Sequence, residues 1–136
     1  MNEDCERFSP LSEPVIVVED DPLLRGLMID ILSEIGLRSQ AFDSADGALI
    51  HMLSTPHTYP LVIADHGLPG KLKGSDFIAV VKARWPSTST ILTSGYSLEP
   101  AMVPPSTTYL QKPWSMGDLV KAVANSLQAD PPLRKM

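Results

Sequence analysis

Acidic residues follow two of the apolar runs in this sequence, at points where buried strands would end. Glu19, Asp20 and Asp21 come directly after VIVV, and Asp65 comes directly after LVIA. Carboxylates that meet at one site repel each other and raise one another's pKa. A hard divalent cation removes this repulsion, and Mg²⁺ favours a few carboxylates together with waters and phosphate oxygens. The acids therefore indicate a magnesium site, provided that the fold brings the two strand ends together.

A hydroxyl group and an ammonium group follow two later apolar runs. Ser94 comes after TILT, with Thr93 as the alternative hydroxyl, and Lys112 comes after TYLQ. A lysine supplies a point charge for a phosphate, and a hydroxyl supplies a hydrogen bond. Joined to a cation site, these groups describe a centre for phosphoryl transfer, in which positioning and charge neutralisation do most of the work.

Short apolar strands alternate with helices along the chain, a pattern that predicts a parallel sheet with helices on both faces. Strands are predicted at 15–18, 38–42, 61–65, 90–93 and 108–111. Helices are predicted at 22–35, 43–54, 74–85 and 115–127, with their apolar residues in the core. Right-handed crossovers make such an α/β chain a doubly wound sandwich, in which chemistry gathers at the carboxyl ends of the strands. This fold would bring the acids, the hydroxyl and the lysine into one crevice.

Composition sets the class of protein. The 136 residues, 43% of them hydrophobic and 20% charged, fit one globular domain. A net charge of −5 argues against a general binder of nucleic-acid backbones, and no apolar run approaches the length of a membrane span. The one cysteine, Cys5, excludes an intrachain disulfide, and the acidic start MNEDCERF lacks the apolar region of a signal peptide. We therefore expect a cytoplasmic protein with a polar leader (1–14), one domain (15–128) and a tail or linker (129–136).

Four segments carry a resemblance to a known family. VVEDDP (17–22), ADHGLP (64–69), LTSGY (92–96) and YLQKP (109–113) stand in this order, each at a predicted strand end. Together they resemble the receiver domain of response regulators, the CheY-like family of two-component signal transduction, over residues 15–128. The resemblance implies a flavodoxin-like, CheY-like three-layer sandwich around a doubly wound, five-stranded parallel sheet. It also implies a phosphorylation-controlled switch rather than an enzyme.

The resemblance implies a phosphorylation site and a metal site. Asp65 would accept a phosphoryl group from the phosphohistidine of a sensor histidine kinase or a histidine phosphotransfer protein. Asp20 and Asp65 would bind Mg²⁺, or Mn²⁺ in its place, through their side chains. Glu19 would bind the cation through water, and Gly67 through its backbone carbonyl. A downstream protein of unknown identity would receive the signal, without direct contact to nucleic acid or membrane.

The resemblance also implies a set of switch residues. Ser94 would turn toward the phosphoryl oxygens, and Lys112 would form an ion pair with them. Tyr109 would be the aromatic residue that moves inward on activation. Pro113 matches the usual cis peptide after the lysine. Asp21 is expected instead to cap the first helix, because acids favour helix N-termini.

The sequence departs from the usual receiver pattern at two places. Fewer residues separate Ser94 from Lys112 than in a typical receiver, and Pro100, Pro104 and Pro105 leave room for at most a helical turn or two. The helix that receivers have between the fourth and fifth strands, their fourth helix, is therefore expected to be shortened or irregular here. Tyr96, at the start of this segment, is expected to overhang the phosphoryl group and restrict access to it. The second departure is the loop PGKLKG (69–74), which has two lysines and one residue more than the common form.

Three other functions compete with the receiver interpretation. A phosphatase with an aspartate nucleophile would need a second acid two residues after it, where Gly67 stands. A nucleotide- or flavin-binding module would need a glycine- or hydroxyl-rich loop after the first strand, where EDDP stands. A receiver-like scaffold that binds partners without being phosphorylated stays an alternative, because sequence does not exclude it.

Overall fold

The sheet has the predicted parallel, doubly wound topology. The computed structural model describes residues 13–128, so residues 1–12 of the predicted leader and the predicted tail (129–136) lie outside the described residues. Within this range five strands form one parallel sheet: β1 (Val15–Val18), β2 (Ser39–Phe42), β3 (Leu61–Asp65), β4 (Ser89–Ser94) and β5 (Thr108–Gln111). Their spatial order is β2-β1-β3-β4-β5. The strand order therefore reverses between β1 and β3, and in such sheets ligands bind at the carboxyl ends beside this switch point.

Four helices in the described range cover both faces of the sheet: α1 (Pro22–Glu34), α2 (Ala45–Leu53), α3 (Gly74–Arg84) and α4 (Met116–Gln128). Helices α1 and α4 pack on the face that includes Val15, Val17 and Ile63. Helices α2 and α3 pack on the opposite face, which includes Ile16 and Val62. Because the central strands are buried on both faces, their sequences are continuous apolar runs.

Polar side chains cap the first turns of α1 and α4. The Asp21 carboxylate accepts the Leu23 N–H at 3.0 Å and caps α1, as predicted. The Ser115 hydroxyl accepts the Asp118 N–H at 3.0 Å, and the Asp118 carboxylate accepts the Ser115 N–H at 3.0 Å. This reciprocal pair is a capping box, which satisfies two otherwise unpaired donors at the start of α4.

The predicted core face of the first helix was too wide. Leu23 is 85% exposed and Leu27 is 47% exposed, whereas Met28, Ile31 and Leu32 are buried. A helix turns about 100° per residue, so a stripe that contains 28, 31 and 32 carries 23 and 27 toward solvent. Leu53, also predicted to be in the core, is exposed at the end of α2.

The connection from β4 to β5 is the segment in which a typical receiver has a helix and in which this sequence predicts a shortened or irregular one. It contains one 3₁₀ turn, Pro100–Met102, within otherwise irregular backbone. This confirms the expectation of a shortened helix, because the prolines remove main-chain donors that a longer helix would use. Among the described helices, none has the length and apolar character needed to cross a membrane.

Candidate functional site

The carboxyl ends of β1 and β3 bring three acidic side chains together. Glu19 and Asp20 follow β1 directly, and Asp65 is the last residue of β3. One carboxylate oxygen from each residue lies within 4.8 Å of the other two. Glu19 is 1% exposed and Asp65 is 6% exposed, whereas Asp20 faces solvent. The cluster is therefore a partly buried acidic pocket that is open on the Asp20 side.

Both carboxylate oxygens of Asp65 are held by donors. The main-chain N–H of Gly67 donates to Oδ2 at 3.0 Å. Oδ1 lies 3.0 Å from the Lys112 ammonium and accepts the Thr93 hydroxyl at 3.3 Å. These contacts come from three different segments of the chain, so the carboxylate has a defined orientation in the pocket.

Lys112 links the acids of two strands. It follows β5, and its Nζ lies 3.1 Å from Glu19 Oε1 as well as 3.0 Å from Asp65 Oδ1. Its main-chain N–H donates to the Ser94 carbonyl at 2.8 Å, which extends the pairing of β4 with β5 to the site. The Lys112–Pro113 peptide bond is cis.

The site holds more negative than positive charge. Burial raises the pKa of Glu19 above its ordinary value, and the charge of Asp65 adds to the rise, against opposing hydrogen bonds from Asp21 and Lys112. Burial alone would lower the pKa of Lys112, but its hydrogen bonds and ion pairs with Asp65 and Glu19 outweigh burial and raise it. Three carboxylates around one ammonium suit a divalent cation, and all three offer the oxygen ligands that Mg²⁺ prefers.

Two neighbouring hydroxyls at the end of β4 have different partners. Thr93 lies opposite Asp65 in the parallel register and donates to its carboxylate. Ser94, which the resemblance to receivers favours as the phosphoryl-contacting hydroxyl, donates to the Tyr96 carbonyl at 2.7 Å and accepts the Tyr96 N–H at 3.1 Å. Thr93 is thus the hydroxyl that contacts Asp65 in this structure, and the proton of Ser94 is directed to the backbone.

Aromatic residues form one rim of the site. Tyr109 is half-buried against the core, and its hydroxyl donates to the same Tyr96 carbonyl at 2.8 Å. Tyr96 is 57% exposed, and its ring stands edge-on to the ring of His66, with 6.1 Å between the centroids. His66 itself is buried directly after Asp65. The backbone of Tyr96 therefore connects both predicted switch residues, Ser94 and Tyr109.

A close approach of backbone to backbone holds the end of β3 against α3. The Gly74 N–H donates to the His66 carbonyl at 3.0 Å. A Cβ atom at Gly74 would collide with the main-chain carbonyl of Asp65. Glycine is required here because α3 begins in direct contact with the strand end that carries Asp65.

The chain is similar to proteins of one known family. A sequence model described as the response regulator receiver domain matches residues 15–124. The chain belongs to the response regulator receiver family. It is 30% identical over 118 residues to the response regulator protein FleR of Pseudomonas aeruginosa, an alignment that covers 84% of this chain and 24% of FleR. This receiver chain spans about a quarter of the length of the curated relatives that it matches.

Solved receiver structures share the fold. A response regulator receiver protein from Sinorhizobium medicae superposes with a TM-score of 0.79 at 22% identity, covering 85% of this chain and 94% of the other. The response regulator protein TrrA from Thermotoga maritima, solved in complex with Mg²⁺-BeF, gives a TM-score of 0.72 at 25% identity, covering 85% of this chain and 99% of TrrA. Receiver domains are generally signalling switches, and they bind Mg²⁺ at an acidic pocket. The described part of this chain contains a cluster of three acidic residues, Glu19, Asp20 and Asp65.

Two features of the site are not apparent from the sequence. The contact of Thr93 with Asp65 depends on the register between β3 and β4, which periodicity does not reveal. The close packing of Gly74 on the end of β3 was missed because a glycine at a helix start is equally compatible with a simple turn. A glycine in the first turn of a helix, placed within ten residues of a strand-end acid, is the one signal that was available.

Proposed function

We propose that this receiver accepts a phosphoryl group on Asp65 from the phosphohistidine of a sensor histidine kinase or a histidine phosphotransfer protein, with Mg²⁺ bound at the same site. One observation carries the proposal. The Asp65 carboxylate lies 3.0 Å from the Lys112 ammonium and within 4.8 Å of oxygens of Glu19 and Asp20. A nucleophile, a fixed cation and a metal pocket are thereby assembled around one buried strand end.

The attacking atom that fits this arrangement is Oδ2 of Asp65. Oδ1 is engaged by Lys112 and Thr93, whereas Oδ2 accepts the main-chain N–H of Gly67. In the transfer a bond forms between Oδ2 and phosphorus, the bond from phosphorus to the donor imidazole nitrogen breaks, and its electron pair stays on the imidazole. Lys112 lies beside the carboxylate, where its charge would stabilise the incoming phosphoryl oxygens.

Asp20 and Asp65 would hold the metal with their side chains, Glu19 would hold it through a water molecule, and Gly67 would contribute its backbone carbonyl. When bound, Mg²⁺ would neutralise charge on the phosphoryl oxygens and on the acidic cluster. Support for a Mg²⁺ site of this kind comes from the acidic pocket itself and from TrrA, which was solved with Mg²⁺-BeF.

The signal would pass through the Tyr96 backbone. Ser94 and Tyr109 both donate to the Tyr96 carbonyl, so one acceptor oxygen links the end of β4 to the aromatic ring on β5. A phosphoryl group on Asp65 would draw the Ser94 hydroxyl toward itself and weaken one of these two bonds. The populations of the conformations of the segment from Tyr96 to Met102, and of the Tyr109 ring, would then change. A downstream partner would meet a changed surface.

The test is phosphorylation by a small-molecule donor, followed by intact mass spectrometry. The parent protein, Asp65→Asn and Asp30→Asn are incubated with Mg²⁺ and acetyl phosphate. Asp30 is an exposed residue of α1 and serves as the matched control. We expect a gain of one phosphate in the parent and in Asp30→Asn, and no gain in Asp65→Asn. A gain that survives Asp65→Asn would place the phosphoryl group elsewhere and refute the assignment.

Beryllofluoride tests the site without phosphoryl chemistry. The chain has two tryptophans, so Trp85→Phe leaves Trp114 as the only tryptophan, which can be excited selectively over the tyrosines. Trp114 packs at the edge of the core directly after Pro113. We expect Mg²⁺ and beryllofluoride together to change its emission, and Asp65→Asn to abolish the change. A protein that neither gains phosphate nor responds to beryllofluoride would be a receiver-like scaffold that signals without phosphorylation.

A further inference from the structure

Thr93 makes a buried contact with the nucleophile that the receiver motifs do not assign. It is 1% exposed, and the parallel register places it directly opposite Asp65. Paired residues of neighbouring strands project to the same face of a sheet, so the threonine hydroxyl reaches the carboxylate and donates to Oδ1 at 3.3 Å. The neighbouring hydroxyl, that of Ser94, donates its hydrogen bond to the Tyr96 carbonyl.

We propose that Thr93 promotes loss of the phosphoryl group, by stabilising the carboxylate of Asp65 as the acyl phosphate is hydrolysed. This inference rests on the proposed function, since it concerns the fate of phosphorylated Asp65. Thr93 thereby shortens the lifetime of the phosphorylated state, and it is a leaving-group-stabilising residue rather than a nucleophile or a base.

The chemistry of the step explains why a hydroxyl at Oδ1 matters. Water attacks phosphorus and a new bond forms between its oxygen and phosphorus. The bond between phosphorus and Oδ2 breaks, and its electron pair returns to Asp65 as a carboxylate, while the proton of the water goes to the departing phosphate. The returning charge is shared between Oδ2 and Oδ1. In the acyl phosphate, Oδ1 is a neutral carbonyl oxygen. As the bond to phosphorus breaks, Oδ1 becomes charged, and the hydrogen bond that Thr93 donates to it becomes stronger.

The hydrogen bond from Thr93 affects phosphorylation and hydrolysis of Asp65 differently. Phosphoryl transfer passes through a loose transition state, in which the bond to the incoming group is barely formed and the bond to the leaving group is nearly broken. During phosphorylation Asp65 is the incoming group, so its charge is still mostly present at the transition state. During hydrolysis Asp65 is the leaving group, so most of its charge has returned. A hydrogen bond to a charged acceptor is stronger than one to a neutral acceptor by about 1 kcal/mol. Because about 1.4 kcal/mol is a factor of ten in rate, removing the hydroxyl should slow hydrolysis by about fivefold.

The experiment compares Thr93→Val with two matched variants. Valine has the shape of threonine without the hydroxyl, and Lys112 continues to contact Oδ1. Thr93→Ser retains the hydroxyl. Thr90→Val removes a second buried hydroxyl of β4, which faces Thr107 at 2.9 Å, away from the acidic pocket. Each protein is phosphorylated with acetyl phosphate and Mg²⁺ and desalted, and the loss of phosphate is followed by intact mass.

We expect Thr93→Val to lose phosphate about fivefold more slowly than the parent. Its initial rate of phosphorylation should stay within about twofold of the parent rate, because the loose transition state leaves the charge of the attacking carboxylate in place. Thr93→Ser and Thr90→Val should decay at the parent rate. A merely structural role for Thr93 would change both rates together.

Thr93→Val decaying at the parent rate would overturn the inference and leave the proposed function standing. Equal changes in phosphorylation and hydrolysis would also overturn it. A parent protein that takes up no phosphate from acetyl phosphate or from a phosphohistidine donor would overturn the proposed function, and the inference about Thr93 would fall with it.

Discussion

Lys112 is expected to hold the acidic pocket together when no metal is bound. Its Nζ lies 3.0 Å from Asp65 and 3.1 Å from Glu19, and its side chain is 24% exposed. Replacing it by methionine keeps the length of the side chain and removes the charge. Two buried carboxylates would then face each other without a compensating ammonium, a state that is unfavourable because charges lose solvation on burial.

The burial of Lys112 sets how much unfolding free energy Lys112→Met should lose. Removing one partner of a fully buried ion pair destabilises a protein by about 3–5 kcal/mol. Lys112 retains some access to water, so the loss for Lys112→Met should be smaller, about 2 kcal/mol without Mg²⁺. Since small domains unfold with free energies of about 5–15 kcal/mol, a loss of this size lowers the urea midpoint clearly without unfolding the protein.

Equilibrium urea unfolding measures the loss, with Lys82→Met as the control. Lys82 is also half-buried, and its Nζ donates to the Ser106 carbonyl at 3.4 Å, remote from the acids. We expect Lys82→Met to change the free energy of unfolding by less than about 0.5 kcal/mol. Mg²⁺ should stabilise Lys112→Met more than it stabilises the parent, because the metal replaces the missing positive charge and binding to the native state adds stability.

One result would refute this reasoning. If Lys112→Met unfolds at the parent urea midpoint in the absence of Mg²⁺, with an unchanged dependence on urea, the ion pairs of Lys112 contribute nothing to the fold. The acidic pocket would then be stabilised by some other means than its lysine.

Three further predictions concern the surroundings of Asp65. Gly74→Ala should destabilise the protein by about 1–3 kcal/mol in urea unfolding, because the added Cβ would meet the main-chain carbonyl of Asp65; an unchanged midpoint would contradict the close approach. Tyr96→Ala should shorten the phosphoryl lifetime by at least about twofold, since the exposed ring that restricts water is lost; decay at the parent rate, followed by intact mass, would contradict this. Glu19→Gln should remove a pH-dependent loss of stability in metal-free protein. The raised pKa of Glu19 means that its contribution is fully present below the ordinary value of 4.5 and is lost as the pH rises through the higher folded value. The parent should therefore lose stability relative to Glu19→Gln as the pH rises above 4.5, and a stability difference that is independent of pH in urea unfolding would contradict the shift.

The residues of the site were predictable because their signals are local. A strand that is buried on both faces must be an apolar run, and a polar residue that follows such a run marks the strand end, as in VIVVED and LVIAD. The alternation of these runs with helices predicts a parallel sheet, and a parallel sheet places all carboxyl ends at one edge. The sequence by itself therefore determined that Glu19, Asp20 and Lys112 gather around Asp65, and it also determined that prolines shorten the segment before β5.

The tertiary structure decided how those side chains contact each other. Thr93, rather than Ser94, lies against Asp65 because the pairing of β3 with β4 sets which hydroxyl faces the carboxylate, and this register depends on contacts between distant segments. Leu23 and Leu27 continue a four-residue spacing back from Ile31, but both lie in solvent, because packing decides which part of a wide apolar face is buried. Gly74 is required because two backbones meet at the end of β3. Local patterns specify the types of groups in a site, whereas distances between groups that are far apart in sequence arise only when the strands and helices pack.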